Sequence, residues 1–269
     1  MRLQRAGWIG LALLFASVGI AQTQQDALDI LNKVGETYRG VKTLQAEGDL
    51  TTGMSGAGMQ QNVTAHMLMT LGGSGKVRIE SKTGLMNFLM VSDGQTTWLY
   101  MPAINKYAKF PALPAATAGA PPIPGGLHGM DSIENFGNIA DNVKEAKLVR
   151  SETLQLDGIA TDCYVIEFVS AGPSVSSTPP AATAMPVKVE ENRETVWVDK
   201  SRLLVARVSS RAKITLAGES APTETQSDLT FNKLSLDAPV PDDAFVFAPP
   251  ASASEIDLSQ FMPQGANPH

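Results

Sequence analysis

The chain has 269 residues, 43% hydrophobic and 18% charged, with three histidines, one cysteine and a formal net charge of -6. That length can bury a large core, while a lone Cys163 excludes an internal disulfide and any cysteine-built zinc site. The acidic balance disfavours nonspecific attraction to nucleic acid or an anionic membrane surface, and His66, His128 and His269 are too scattered for a histidine cluster.

Residues 1–21 have the make-up of an export signal. Arg2 and Arg5 precede an apolar run from about Ala6 to Val18, and Gly19-Ile20-Ala21 supplies small residues before Gln22. The run is shorter than the roughly 20 residues a spanning helix needs, and no cysteine follows it to carry an acyl anchor. Removing Arg2 and Arg5 takes the net charge from -6 to -8. The sequence thus predicts a soluble, exported, acidic mature domain over 22–269.

That domain opens with helical spacing. Ala27, Leu28, Ile30, Leu31, Val34 and Tyr38 recur on one face between Asp26 and Tyr38, and Gly40 is a suitable stop. Period-two alternation follows. From Gln61 to Leu71, Val63, Ala65, Met67, Met69 and Leu71 share a face opposite Thr64, His66, Leu68 and Thr70. Lys76–Lys82 sets Val77 and Ile79 apart from Arg78 and Glu80, and Leu85–Val91 carries Met86, Phe88 and Met90 together. Asp93-Gly94 then signals a hairpin turn before a strand over Thr96–Met101.

Phe110–Gly126 is rich in Pro, Ala and Gly and predicts a long loop. A second helix is expected from Asp131 or Ser132 to Val143, with Ile133, Phe136, Ile139, Ala140 and Val143 on one face and Gly137 weakening it. Strands resume at Thr161–Val169, where Tyr164, Ile166 and Phe168 oppose Cys163 and Glu167. Another Pro-rich loop spans Ala171–Pro186. Strands over Glu194–Asp199, Arg202–Ser209 and Asp228–Leu236 follow, with weaker candidates near Leu44, Asn105, Leu148 and Lys213. Hairpin spacing of this kind predicts one curved or closed antiparallel sheet with an apolar face.

The motifs of catalysis fail on context. Gly53-Met54-Ser55-Gly56-Ala57 lacks the closing glycine of a nucleophile elbow and lies between strands. Gly73-Ser74-Gly75-Lys76 is followed by Val77, not Ser or Thr, and by a strand, not a helix. Asp141 and Glu145 read as a solvated helix edge, Asn62-Val63-Thr64 as a chance glycosylation match, and His66 as a solvent-side strand residue. No catalytic residue, metal site or cofactor is assigned. What remains is the apolar face, where Met67, Met69, Met86 and Met90 either fill a core or accept variable apolar guests, methionine being unbranched and adaptable. A dozen strands with one or two helices present more apolar sheet than those helices can cover, which predicts a hydrophobic pocket.

Three stretches carry a family resemblance. Val91-Ser92-Asp93-Gly94-Gln95-Thr96-Thr97-Trp98-Leu99-Tyr100-Met101-Pro102 resembles the outer-membrane lipoprotein carrier (LolA-like) family, in which a DG turn leads into a W-x-Y strand and a proline turn. Ala244-Phe245-Val246-Phe247-Ala248-Pro249-Pro250 is similar to that family's F-x-F-x-P-P close, and Trp197-Val198-Asp199-Lys200 to Arg207 to its W-x-D hairpin. The resemblance runs in order over residues 26–258. The family's Lys-Arg-Pro turn has no counterpart in Gly72–Arg78, so its lid-holding arginine is not carried onto Arg78.

The resemblance implies an incomplete antiparallel barrel of about eleven strands with helices as a lid over a hydrophobic cavity. It implies a monomeric, non-enzymatic periplasmic carrier that takes an acylated lipoprotein from an inner-membrane ABC transporter to an outer-membrane acceptor. The fold serves other lipid-binding proteins and a lipid-sensing regulator of envelope stress, so those, or transfer of another lipid, are the alternatives. An exported lipid hydrolase is opposed by the missing nucleophile constellation. The expected lid residues are Ile133, Phe136 and Ile139. The expected lining is Met67, Met69, Ile79, Met86, Phe88, Met90, Tyr164, Ile166 and Phe168, with Trp98 and Tyr100 lining or rimming the pocket.

Overall fold

Segments that alternate with period two can bury one face only, and they do so by pairing into a sheet that covers that face. The computed structural model of the protein describes residues 12–56, 59–82, 87–112, 133–141, 143–170, 187–216, 222–241 and 243–256. The order is helix α1 (Ala12–Arg39), strands β1 (Thr43–Gly56), β2 (Met59–Gly72), β3 (Lys76–Ser81), β4 (Phe88–Asp93), β5 (Thr96–Met101) and β6 (Lys106–Pro111), then helix α2 (Ile133–Gly137). Strands β7 (Val143–Leu156), β8 (Ile159–Ser170), β9 (Val187–Asp199), β10 (Val205–Leu216), β11 (Thr223–Leu236) and β12 (Ser254–Glu255) complete it.

The described strands form a single curved, open sheet in the order β12-β6-β5-β4-β3-β2-β1-β11-β10-β9-β8-β7. Every pairing is antiparallel except the short β12, which runs parallel to β6. The long pairing of β1 with β11 joins the two wings, and a register shift at Glu47/Gly48 bends the sheet there. The expected half-barrel of strands with helices on one face is what forms.

The turns follow their residues. At the β4–β5 hairpin Asp93 Oδ1 accepts the backbone N–H groups of Gln95 and Thr96 at 2.7 and 2.8 Å. Gly94 sits at φ +93°, and a Cβ there would collide with the carbonyl of Ser74 in the neighbouring β2–β3 turn. The Gly-Ser-Gly-Lys stretch is that turn, with Ser74 and Gly75 both at positive φ.

The helices differ from expectation. The helix expected over Asp26–Tyr38 is the C-terminal part of α1, which begins at Ala12. The second helix is shorter than the apolar spacing suggests: α2 stops at Gly137, a turn follows, and Val143 already belongs to β7. Asp141 and Glu145 therefore share no helix face. The reason is packing at Gly137, which lies against Arg39 of α1, while a Cβ on Gly35 would stand 2.6 Å from the Gly137 carbonyl oxygen. Two glycines let the helices meet backbone to backbone. Gly35→Val is expected to cost about 1–3 kcal/mol through overpacking and to release α2 before the sheet. Amide exchange would rise first over residues 133–138; unchanged protection there would refute the tight seating.

Two smaller differences concern strands. Lys213 does not start a strand of its own but continues β10, and residues 202–204 are turn, not strand. Met86, residues 113–126 of the first Pro-rich segment and all of 171–186 lie outside the described residues, whereas Phe110 and Pro111 belong to β6. No helix among the described residues is long and apolar enough to cross a membrane.

Candidate functional site

Residues directly opposite in an antiparallel ladder point to the same face, so the register maps the inner wall residue by residue. Leu148, Ile166, Val196, Val208, Leu229, Leu50 and Ala65 pair in succession from β7 through β11 to β1 and β2. Leu234, Ala46, Met69, Ile79, Met90, Leu99 and Ala108 do the same from β11 through β1 to β6. The two rows overlap on β11, β1 and β2, so one apolar stripe crosses eleven strands. Phe231, Gly48, Met67, Ser81 and Phe88 form a further row between them.

The helices roof this wall. Ala27, Leu31, Val34 and Tyr38 of α1 and Ile133 and Phe136 of α2 are buried in the same cluster as the wall residues. Tyr38 stacks on Phe136 with ring centroids 4.9 Å apart, and its hydroxyl accepts the Val205 N–H at 3.1 Å. Burial raises the Tyr38 phenol well above its ordinary range, with the Val205 bond and Arg202 opposing more weakly, so the hydroxyl stays neutral.

Of the residues expected to line a pocket, Met67, Met69, Ile79, Phe88, Met90, Ile166 and Phe168 are buried on the inner wall, with Tyr164 half-buried at its margin. Ile133 and Phe136 are buried on α2, and Ile139 packs beside the core from the following turn. Trp98 and Tyr100 are elsewhere. They pair with Val91 and Leu89, whereas Leu99 pairs with Met90, so both rings lie on the outer face. The C-terminal segment explains why an outer face is aromatic. After β11 it crosses this side of the sheet: Phe245 lies against Gly72, Arg78 Nη1 donates to the Ala244 carbonyl at 3.4 Å, and Phe247 meets Tyr100 at 5.9 Å between centroids. Asn105 then donates to the Ser252 carbonyl at 2.8 Å before β12 pairs with β6. The W-x-Y and F-x-F stretches are two halves of one outer packing layer.

The remaining outer surface is charged. His66 Nδ1 lies 2.9 Å from Asp49 Oδ1, as suits a solvent-side residue, and Arg207 stacks 4.4 Å from the Trp197 ring, whose Nε1–H donates to Glu152 at 3.0 Å. Cys163 is buried on this side, and burial together with the carboxylates of Asp199, Asp162 and Glu152 pushes its thiol up to about 11. It is a packing residue, not a nucleophile. Among the described residues no group of three His, Cys, Asp or Glu side chains could hold a metal ion.

Val196, Val208, Leu229 and Phe231 also stand on the inner wall without having been expected to line it, although alternation within β9, β10 and β11 was the signal available. Glu194, likewise not expected, lies on the inner face between Phe168 and Ser210.

No protein-family model and no curated protein matches the sequence. Among solved structures, the chain is similar to a LolA superfamily protein from Nitrosomonas europaea (14% identity, 82% of this chain and 97% of that chain covered, TM-score 0.36). It is also similar to LprF from Mycobacterium bovis (12% identity, 86% and 99% covered, TM-score 0.41) and to a conserved protein from Thermus thermophilus (11% identity, 86% and 99% covered, TM-score 0.42).

Proposed function

We propose that the protein is a non-enzymatic periplasmic carrier, exported by residues 1–21, that shelters the acyl chains of a lipoprotein or another lipid against the inner wall of its sheet. One observation carries the reading: an apolar stripe continuous across eleven strands is roofed by a short α2 and one face of α1. Each methylene withdrawn from water contributes ~0.8 kcal/mol, so a few chains laid along Met67, Met69, Ile79, Met90, Ile166 and Phe168 would be held firmly. The same wall residues are buried beneath the helices, so cargo and lid compete for one surface. That competition lets bound cargo leave again for an acceptor, the inner-membrane transporter being the donor.

Native mass spectrometry of the protein isolated from its own periplasm tests this. An acylated polypeptide in the complex supports the lipoprotein carrier, free lipid supports transfer of another lipid, and a persistently empty protein sinks both. Leu99→Glu places a charge on the wall at a residue that is only half-buried. It is expected to reduce cargo recovery at least tenfold while the chain still folds, since one unpaired charge in an apolar contact costs more than the 1.4 kcal/mol that a factor of ten represents. Undiminished recovery would remove β5 from the site.

A further inference from the structure

The inner wall is not apolar along its whole height. One inner-face step beyond the Ile166–Val196–Val208–Leu229–Leu50 row, towards the β1–β2 turn, the register brings together Glu194, Ser210, Ser227 and Thr52 on β9, β10, β11 and β1. One further step places Thr225, Met54 and Gln61 in line. A deep apolar zone thus gives way to a belt of hydroxyls and one carboxyl. We propose that this belt is the subsite for the polar linkage of the cargo, hydrogen-bonding an ester or amide carbonyl while the acyl chains extend along the apolar rows.

Glu194 is the one ionisable group in this belt. Its neighbours across the ladder are Phe168 and Ser210, and it has no hydrogen-bond or ion-pair partner among the described residues. Glu194 is half-buried, and a polar group partly withdrawn from water gains from a bonded partner. Burial pushes its carboxyl above the ordinary glutamate range, and a protonated carboxyl is an O–H donor suited to a carbonyl acceptor. A carboxylate would instead repel a phosphate. Acyl esters and amides occur in lipoproteins and in phospholipids alike, so the chemistry is shared by both sources.

This inference rests on the acyl-carrier reading, and the test separates the two. The delipidated mature chain is titrated with a diacyl phosphatidylcholine and with its di-ether analogue of equal chain length, which lacks the two carbonyl groups. Wild type is expected to prefer the ester about three- to tenfold, the span of one net hydrogen bond. Glu194→Gln retains a donor and should keep the preference, Glu194→Ala should abolish it, and Ser210→Ala should reduce it, all with the ether affinity unchanged. Equal affinity of wild type for both lipids, or a preference that survives Glu194→Ala, overturns the subsite. Failure of wild type to bind the ester lipid, the ether lipid and a triacylated lipopeptide alike overturns the carrier reading itself. Phospholipid-sized cargo is told from lipoprotein cargo by repeating the comparison with a triacylated lipopeptide, whose tighter binding marks the lipoprotein as the natural source.

Discussion

Asp199→Ala is expected to lower folding stability by about 3 kcal/mol, the lower end of the range for breaking a buried ion pair. Asp199 is 1% exposed. Its Oδ1 accepts the Ser201 N–H at 2.8 Å, the Ser201 hydroxyl at 2.7 Å and the Arg202 N–H at 3.2 Å, and its Oδ2 accepts Arg202 Nε at 2.6 Å. Arg202 Nη1 in turn reaches Asp157 Oδ2 at 2.7 Å, and Asp157 Oδ1 accepts the Leu234 N–H at 3.0 Å. The chain of bonds ties the β9–β10 turn to the β7–β8 turn and both to β11, fastening the curled wing where it folds back on itself. The cost falls at the low end because the Arg202 guanidinium is 40% exposed and regains water when its partner is removed.

The same carboxylate makes stability pH-dependent. Burial alone would raise Asp199, but the hydrogen bonds from Arg202 and Ser201 outweigh it and hold the carboxyl below the ordinary aspartate range. A group lowered on folding contributes stability that is complete above its unfolded value and is lost as pH falls through the folded one. Chemical denaturation of wild type should therefore weaken through that acid window, and Asp199→Ala should show a flatter acid limb. An unchanged midpoint at neutral pH would show that the latch does not hold the wing.

Tyr38→Ala is the second large effect, expected at about 3–5 kcal/mol by analogy with buried aromatic truncations. Tyr38 is 0% exposed, carries the stack with Phe136 and accepts the Val205 N–H. Tyr38→Phe keeps the stack and removes only the acceptor, leaving a buried N–H unpaired at a cost of about 1–3 kcal/mol. The difference between the two variants measures the ring contact that seats the lid. A Tyr38→Phe protein as stable as wild type would mean that another group takes over the Val205 N–H.

How much of this was legible depended on whether the deciding contact was local. The strands of the first wing were readable because Val63 to Leu71 and Val77 to Ile79 alternate cleanly, and Met67, Met69, Ile79 and Met90 duly share a wall. Asp93-Gly94 located its hairpin because a side-chain acceptor and a positive φ are properties of the turn itself. The second helix was overextended since Ile139 and Val143 fit helical spacing, while the glycine contact that ends α2 comes from Gly35, a residue about a hundred positions earlier. In β5 Trp98, Leu99 and Tyr100 are apolar on both faces, so alternation separates them without saying which faces the lid. Phe247, far along the chain, decides it by covering the aromatic side.

By itself the sequence determined a mainly β chain, strands whose alternation carries an apolar face, and the hairpin at Asp93-Gly94, because side-chain period and turn chemistry act over a few residues. Tertiary structure decided which face became the wall, how one wing is fastened through Asp157, Arg202 and Asp199, and that Glu194 is aligned with Ser210, Ser227 and Thr52. Those outcomes depend on register between strands as far apart in sequence as Leu44 and Leu236 and on a C-terminal segment laid across the opposite face. No local pattern encodes either, since each arises only when distant strands hydrogen-bond and one set of apolar side chains is shut away from water.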